Sequence, residues 1–124
     1  MIMLDTNMIL RYLLNDNKVM ASEAENVIRG GDVWVSIEII AEVVYVLKGV
    51  YAAERNEIGQ SLIDFLDEVN AVEPEVLRLG IKTFVDSNLD FPDCILYAYN
   101  RVKGYEIKTF DKKLDKLLKQ NKKE

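Results

Sequence analysis

The sequence predicts an α/β domain built on a parallel sheet, and three observations carry that prediction. Short apolar, β-rich runs at 1–4, 33–35, 71–72 and 105–110 alternate with stretches of helical periodicity along the whole chain. Each intervening stretch is long enough to hold a crossover helix, so successive strands are expected to run parallel with right-handed connections. The run Met1-Ile2-Met3-Leu4 passes straight into Asp5-Thr6-Asn7. So short an apolar run reads as a strand buried on both faces. Asp5 then stands at the carboxyl end of the strand, where open α/β sheets bind ligands.

The elements follow in order. Met8-Ile9-Leu10 with Tyr12-Leu13-Leu14 predicts a short helix stopped by Asn15-Asp16-Asn17. Met20, Ala24, Val27 and Ile28 recur at helical spacing up to Gly30-Gly31. Val33-Trp34-Val35 is the second strand, Ser36 an N-cap, and Ile37 to Leu47 an apolar helix closed by Gly49. Ile58, Leu62, Phe65, Leu66 and Val69 mark another amphipathic helix before the minimal strand Ala71-Val72. Pro74 suits the first turn of the helix carrying Leu77, Ile81 and Phe84. Asp90-Phe91-Pro92-Asp93 opens a helix that Gly104 ends, Tyr105 to Phe110 is the fourth strand, and Asp111 opens a last helix with Leu114, Leu117 and Leu118.

At 124 residues the chain reads as a single domain, 1–124, whose stretch 111–124 is a basic C-terminal helix or tail. Hydrophobic residues at 49% and charged residues at 30% are ordinary for a globular protein. No apolar run approaches a membrane helix and no basic segment precedes a signal-like stretch, so neither a membrane span nor a targeting peptide is expected. Cys94 is the single cysteine, which favours a reducing, cytoplasmic setting. With no histidine, Ser-His-Asp and Cys-His nucleophiles and His-rich zinc sites are excluded.

The net charge of −5 argues against a nucleic-acid partner, but the charge is uneven. From 105 to 124 seven basic residues face four acidic ones, with Lys112, Lys113, Lys116, Lys119, Lys122 and Lys123 supplying most of the excess. A solvated helix end and a phosphate-contacting patch explain this tail equally well. A second feature points to a protein partner. Tyr45-Val46-Leu47 and Val50-Tyr51-Ala52-Ala53 continue an apolar stretch past Gly49, more than one face of a small sheet needs.

Four acids carry the chemical interest. Glu42 lies at the margin of an apolar helix face, and Glu38 one turn earlier offers the plainer reading of a wet helix edge. Asp93 and Asp111 each stand near a helix start, where a carboxylate is welcome as a cap; Asp90 and Asp93 could form a capping-box-like pair. Asp5 has the weakest structural excuse. Taken singly, each is a cap before it is a catalyst. Taken together, all four are expected on one edge of a parallel sheet, where their repulsion calls for a cation. Oxygen-only ligands suit Mg²⁺ or Mn²⁺, and such an ion can activate water for attack on a phosphodiester.

The ordered set Leu4-Asp5-Thr6-Asn7, Val35-Ser36 with Ala41-Glu42-Val43, Asp90-Phe91-Pro92-Asp93 and Thr109-Phe110-Asp111 resembles the PIN domain, and more narrowly the VapC-like toxins of prokaryotic toxin–antitoxin pairs. The resemblance spans the whole chain. It implies a three-layer α/β/α fold with strand order 3-2-1-4-5, a central parallel sheet of four strands or five with an added edge, and a Mg²⁺- or Mn²⁺-dependent ribonuclease. Here the segment after Asp111 reads as a helix rather than a fifth strand. Carried over, Asp5 and Asp93 match the acids most directly concerned with the metal, with Glu42 and Asp111 at the other two acidic catalytic positions and Asp111 also a metal ligand. Thr6, Asn7 and Thr109 match small polar residues that support them, and Asp90 a position that holds a second ion through water. Lys112, Lys113 and Lys116 become candidate RNA contacts. A VapB-like antitoxin and a homodimer are the implied partners.

Four other readings stand beside it. A haloacid-dehalogenase-type phosphatase would want an acid at position 7, where Asn7 stands, and a receiver-type phosphoacceptor would want an aspartate where Glu73 precedes Pro74. A PIN-type RNA-processing nuclease that is no toxin, or a non-catalytic PIN-like RNA-binding module, would share every motif named above.

Overall fold

Residues 1–120 are described by the computed structural model, in the order β1 (Ile2–Met3), α1 (Thr6–Leu14), α2 (Lys18–Arg29), β2 (Val33–Val35), α3 (Ile37–Gly49), α4 (Arg55–Leu66), β3 (Asn70–Ala71), α5 (Pro74–Asp86), α6 (Phe91–Lys103) and α7 (Lys112–Gln120). Lys122 and Lys123 of the basic tail lie outside the described residues. The architecture is α/β but mostly helical, with one small parallel sheet in the order β1-β2-β3. Ile2 and Met3 pair with Val33 and Trp34, and Trp34 and Val35 pair with Asn70 and Ala71. That is the expected 3-2-1 half of the sheet.

Chain contacts divide the protein into two units, Met1–Pro74 and Glu75–Glu124. In unit 1, α1 packs on α2 and α3, and α3 on α4. Local chemistry sets the helix ends. Ser36 Oγ accepts from the Ile39 amide at 3.3 Å, and Asn17 Oδ1 from Met20 at 3.1 Å. Glu54 and Glu57 close a capping box around the start of α4. The buried face of α3 is Ile40, Val43, Val44 and Leu47, at the 3–4 residue spacing of one helical stripe. Gly49 ends up inside α3, which closes instead at Val50.

In unit 2, α5 and α6 approach closely at Gly80. A Cβ there would stand 2.5 Å from Ile95 Cδ1, so only glycine fits against this side chain as it lies. Phe84 and Phe91 meet edge to face at 5.8 Å. Gly104 stops α6 with φ of 73°, a left-handed cap that sends its N–H back to the Asn100 carbonyl. Leu114 and Leu118, one turn apart, anchor α7, which packs on α6.

Two expectations are corrected. β1 is not buried on both faces, since Ile2 and Met3 are about half exposed. It is an edge of a three-stranded sheet, only two residues long, and only Leu4 after it is buried. The fourth strand over 105–110 is not formed: among the described residues this stretch has no ladder partner and the sheet has three strands. The stretch keeps the alternation that suggested a strand, with Glu106, Lys108 and Phe110 exposed and Ile107 and Thr109 half-buried. Alternation reports which side chains face water; it does not supply hydrogen-bonding partners for the backbone.

Candidate functional site

The acidic residues fall into two groups, one in each unit. In unit 1, Asp5 is exposed and caps α1, its Oδ1 accepting from the Met8 amide at 2.9 Å. Thr6, one residue on, donates its hydroxyl proton to Glu42 Oε2 at 2.6 Å across 36 positions of sequence. A charge-assisted bond this short fixes the Glu42 carboxylate against the first turn of α1. Glu38 carries no such bond among the described residues, so the two glutamates, one turn apart on α3, differ in more than register. Asn7 is exposed in the first turn of α1.

In unit 2, Asn88, Leu89, Asp90, Asp93, Asp111, Lys112 and Lys113 line a cavity of about 320 Å³. Asp111 caps α7, accepting from the Leu114 amide at 2.8 Å, while its own amide donates to Thr109 Oγ1 at 2.9 Å. Thr109 therefore shapes the turn in which Asp111 stands. Asp90 is the N-cap residue of α6, but its side chain makes no capping hydrogen bond. Asp93 is half-buried and makes no hydrogen bond or ion pair among the described residues. Burial, with Asp111 and then Asp90 adding repulsion, holds its carboxyl above the ordinary 3.8. Lys112 and Lys113 are exposed on the same rim, and Lys116 stands one turn further along α7.

The ranking of structural excuses is thus reversed. Asp5, whose position after a strand left it least explained, is an engaged cap. Asp93, which looked like half of a capping pair, is the unsatisfied carboxylate. Asn88 was not singled out in the sequence; its only signal was its place in the turn leading to Asp90. A larger cavity of about 600 Å³ in unit 1 lies among Tyr12, Lys18, Glu25, Asp64, Phe65 and Glu68, and none of the four acids lines it. There the Tyr12 hydroxyl donates to Glu68, and this bond, with burial, pushes the phenol up to about 12.

Among the described residues no three Asp, Glu or Cys side chains form a ready-made metal cage. The donor chemistry of the unit 2 cavity nevertheless fits a hard cation: its acidic lining is all oxygen, and Asp93 has no internal donor to satisfy it. No helix among the described residues is long and apolar enough to cross a membrane.

A small parallel sheet with helices between its strands, and acids at a strand end and at helix starts, defines an α/β domain whose acids stand where such sheets bind ligands. The PIN domain family model matches residues 2–119, which cover both units, and the chain belongs to this family. PIN domains are generally nucleases, so hydrolysis of nucleic acid is the activity the family brings. No curated protein and no solved structure matches the chain.

Proposed function

We propose that this protein is a Mg²⁺- or Mn²⁺-dependent endoribonuclease, acting as the toxin of a VapBC-type toxin–antitoxin pair. The observation that carries the chemistry is Asp93: a half-buried carboxylate with no internal partner, beside two more acids and two lysines. The carboxylates assigned to the reaction are Asp5 and Glu42 of unit 1 and Asp93 and Asp111 of unit 2. Of these, Asp5, Asp93 and Asp111 match the metal-holding positions of the motif set. When bound, a divalent cation supplies charge neutralisation at the phosphodiester and lowers the pKa of water.

The rest follows from the side chains. Asp93 offers both oxygens, because nothing else in the described chain engages them. Asp111 offers one, its Oδ1 being held by Leu114. Thr6 holds Glu42 in one orientation, and Asp90, at the cavity rim, fits a contact through water. Lys112 and Lys113 attract phosphate to the same rim, and Lys116 extends that attraction along α7. The toxin assignment rests on the motif set and on apolar surface suited to an antitoxin or a second copy: Tyr45 is 78% exposed and Val50 71%.

Purified protein is expected to cleave RNA in Mg²⁺ or Mn²⁺ and to stop in excess chelator. Undiminished cleavage in chelator, with contaminating nuclease excluded, overturns the mechanism. Expressed alone the protein should arrest growth, Asp93→Asn should relieve the arrest, and so should co-expression of the neighbouring gene. Active nuclease in vitro with no growth effect makes it an RNA-processing enzyme instead; RNA binding without cleavage in any divalent ion makes it a binding module.

A further inference from the structure

Phe110 is 107% exposed, so its ring lies wholly in water with both faces open. Covering such a side chain is favourable, so the bare ring is apolar area open to a ligand. Tyr105, at the other end of the same stretch, differs. Its ring stacks on Tyr99 at 5.8 Å and 15°, which occupies one face.

The surroundings of Phe110 select the occupant. The next residue, Asp111, lines the unit 2 cavity together with Asp93, and Lys112 and Lys113 line it too. Lys108, on the same exposed face two residues before Phe110, is already ion-paired with Glu106 at 2.6 Å, so the cations open to a ligand are those on the cavity side. Lys112 and Lys113 make no ion pair among the described residues, so their charge is uncommitted. An open aromatic ring followed by two uncommitted cations matches the two halves of a single-stranded nucleic acid, the π-face of a base and its adjoining phosphate. A protein surface would answer the ring but leave the lysines unmatched. A base-paired helix would answer the lysines, but its bases are already stacked.

We infer that Phe110 is a stacking platform for one unpaired base of the RNA, held next to the Asp93–Asp111 cavity by Lys112 and Lys113. This rests on the nuclease reading and adds to it a positioning residue for the phosphate beside the stacked base.

Binding of dye-labelled single-stranded RNA to the full chain in chelator tests it. Phe110→Ala should weaken binding by about 5- to 150-fold, the range for loss of one stacked base. Phe110→Trp should retain binding, and Phe110→Leu should lose most of it, because an aliphatic side chain keeps the apolar area without the π-face. An abasic site walked along the RNA should weaken binding by wild type at one position and leave Phe110→Ala indifferent there. Duplex RNA should bind both forms alike. The inference is overturned if Phe110→Leu binds as wild type does, if no abasic position is read through Phe110, or if Phe110→Ala changes only the oligomeric state. Wild-type protein that cleaves RNA while Phe110→Ala cleaves equally well removes this inference alone; wild-type protein that neither binds nor cleaves RNA removes the nuclease reading with it.

Discussion

The acids of unit 1 and those of unit 2 face the same problem, negative charge that wants neutralising, and resolve it differently. In unit 1 internal donors answer the carboxylates: the Met8 amide for Asp5 and the Thr6 hydroxyl for Glu42. In unit 2 Asp111 is answered by the Leu114 amide, but Asp93 is answered by nothing among the described residues. A carboxylate satisfied from within is doing structural duty whatever else it does. One left half-buried without a donor keeps its demand open for a cation, and that is what separates a site from a cap.

The largest expected effect comes from removing the open demand. Asp93→Asn should lower RNA cleavage more than about 100-fold, beyond the 10–100-fold typical of losing a group that only orients a metal ligand. In chelator the same variant should melt no lower than wild type. The sign follows from the raised carboxyl: its protonated form is favoured by folding, so its contribution is fully present below 3.8 and lost as pH rises through the folded value. At neutral pH Asp93→Asn should therefore gain a little in Tm, and the gain should vanish below pH 3.8. Melting several degrees lower at neutral pH would make Asp93 structural and erase the contrast.

Next in size is the comparison within α3. Glu42→Gln should cost roughly 10- to 100-fold in cleavage, as expected when an oriented acid of the site is neutralised. Glu38→Gln should be silent. Equal losses would mean that the Thr6 bond confers nothing.

Asp5 separates cap from chemistry. Asp5→Ala should destabilise by about 1 kcal/mol, the usual loss of an N-cap, or roughly 3–6 °C in Tm. Asp5→Asn should keep the cap and the Tm yet still lose cleavage. If Asp5→Asn cleaves normally, unit 1 contributes scaffolding and no catalytic carboxylate at this position.

The smallest effect lies away from both groups. Folding holds the Tyr12 phenol at about 12 against an ordinary 10.0, so its stabilisation is present below pH 10 and lost as pH rises toward 12. Difference titration of wild type against Tyr12→Phe should show one tyrosine ionising near 12. If it ionises near 10, the Glu68 bond is absent in solution.

Much of the fold was legible because caps and periodicity are local. Ser36, Gly104 and the Ile40–Leu47 stripe each declare themselves within one or two turns. The failures were non-local. Exposure of Ile2 and Met3 depends on what pairs beside β1, and the missing fourth strand depends on a ladder partner, neither of which a short apolar run contains. The order of the four acids along the chain was legible as a motif set. Which of them is satisfied was not, because the partners of Asp5 and Glu42 are set by backbone direction and by a contact spanning 36 residues.

The Asp111 cap has a consequence in the language of exchange kinetics. The Leu114 amide is protected by a carboxylate that the cavity also claims, and its side chain is fully buried. A ligand on the other oxygen of that carboxylate would draw charge from its bond to the first turn of α7, so the exchange rate of this one amide reports occupancy. That rate should rise when Mg²⁺ is added to a sample containing no RNA.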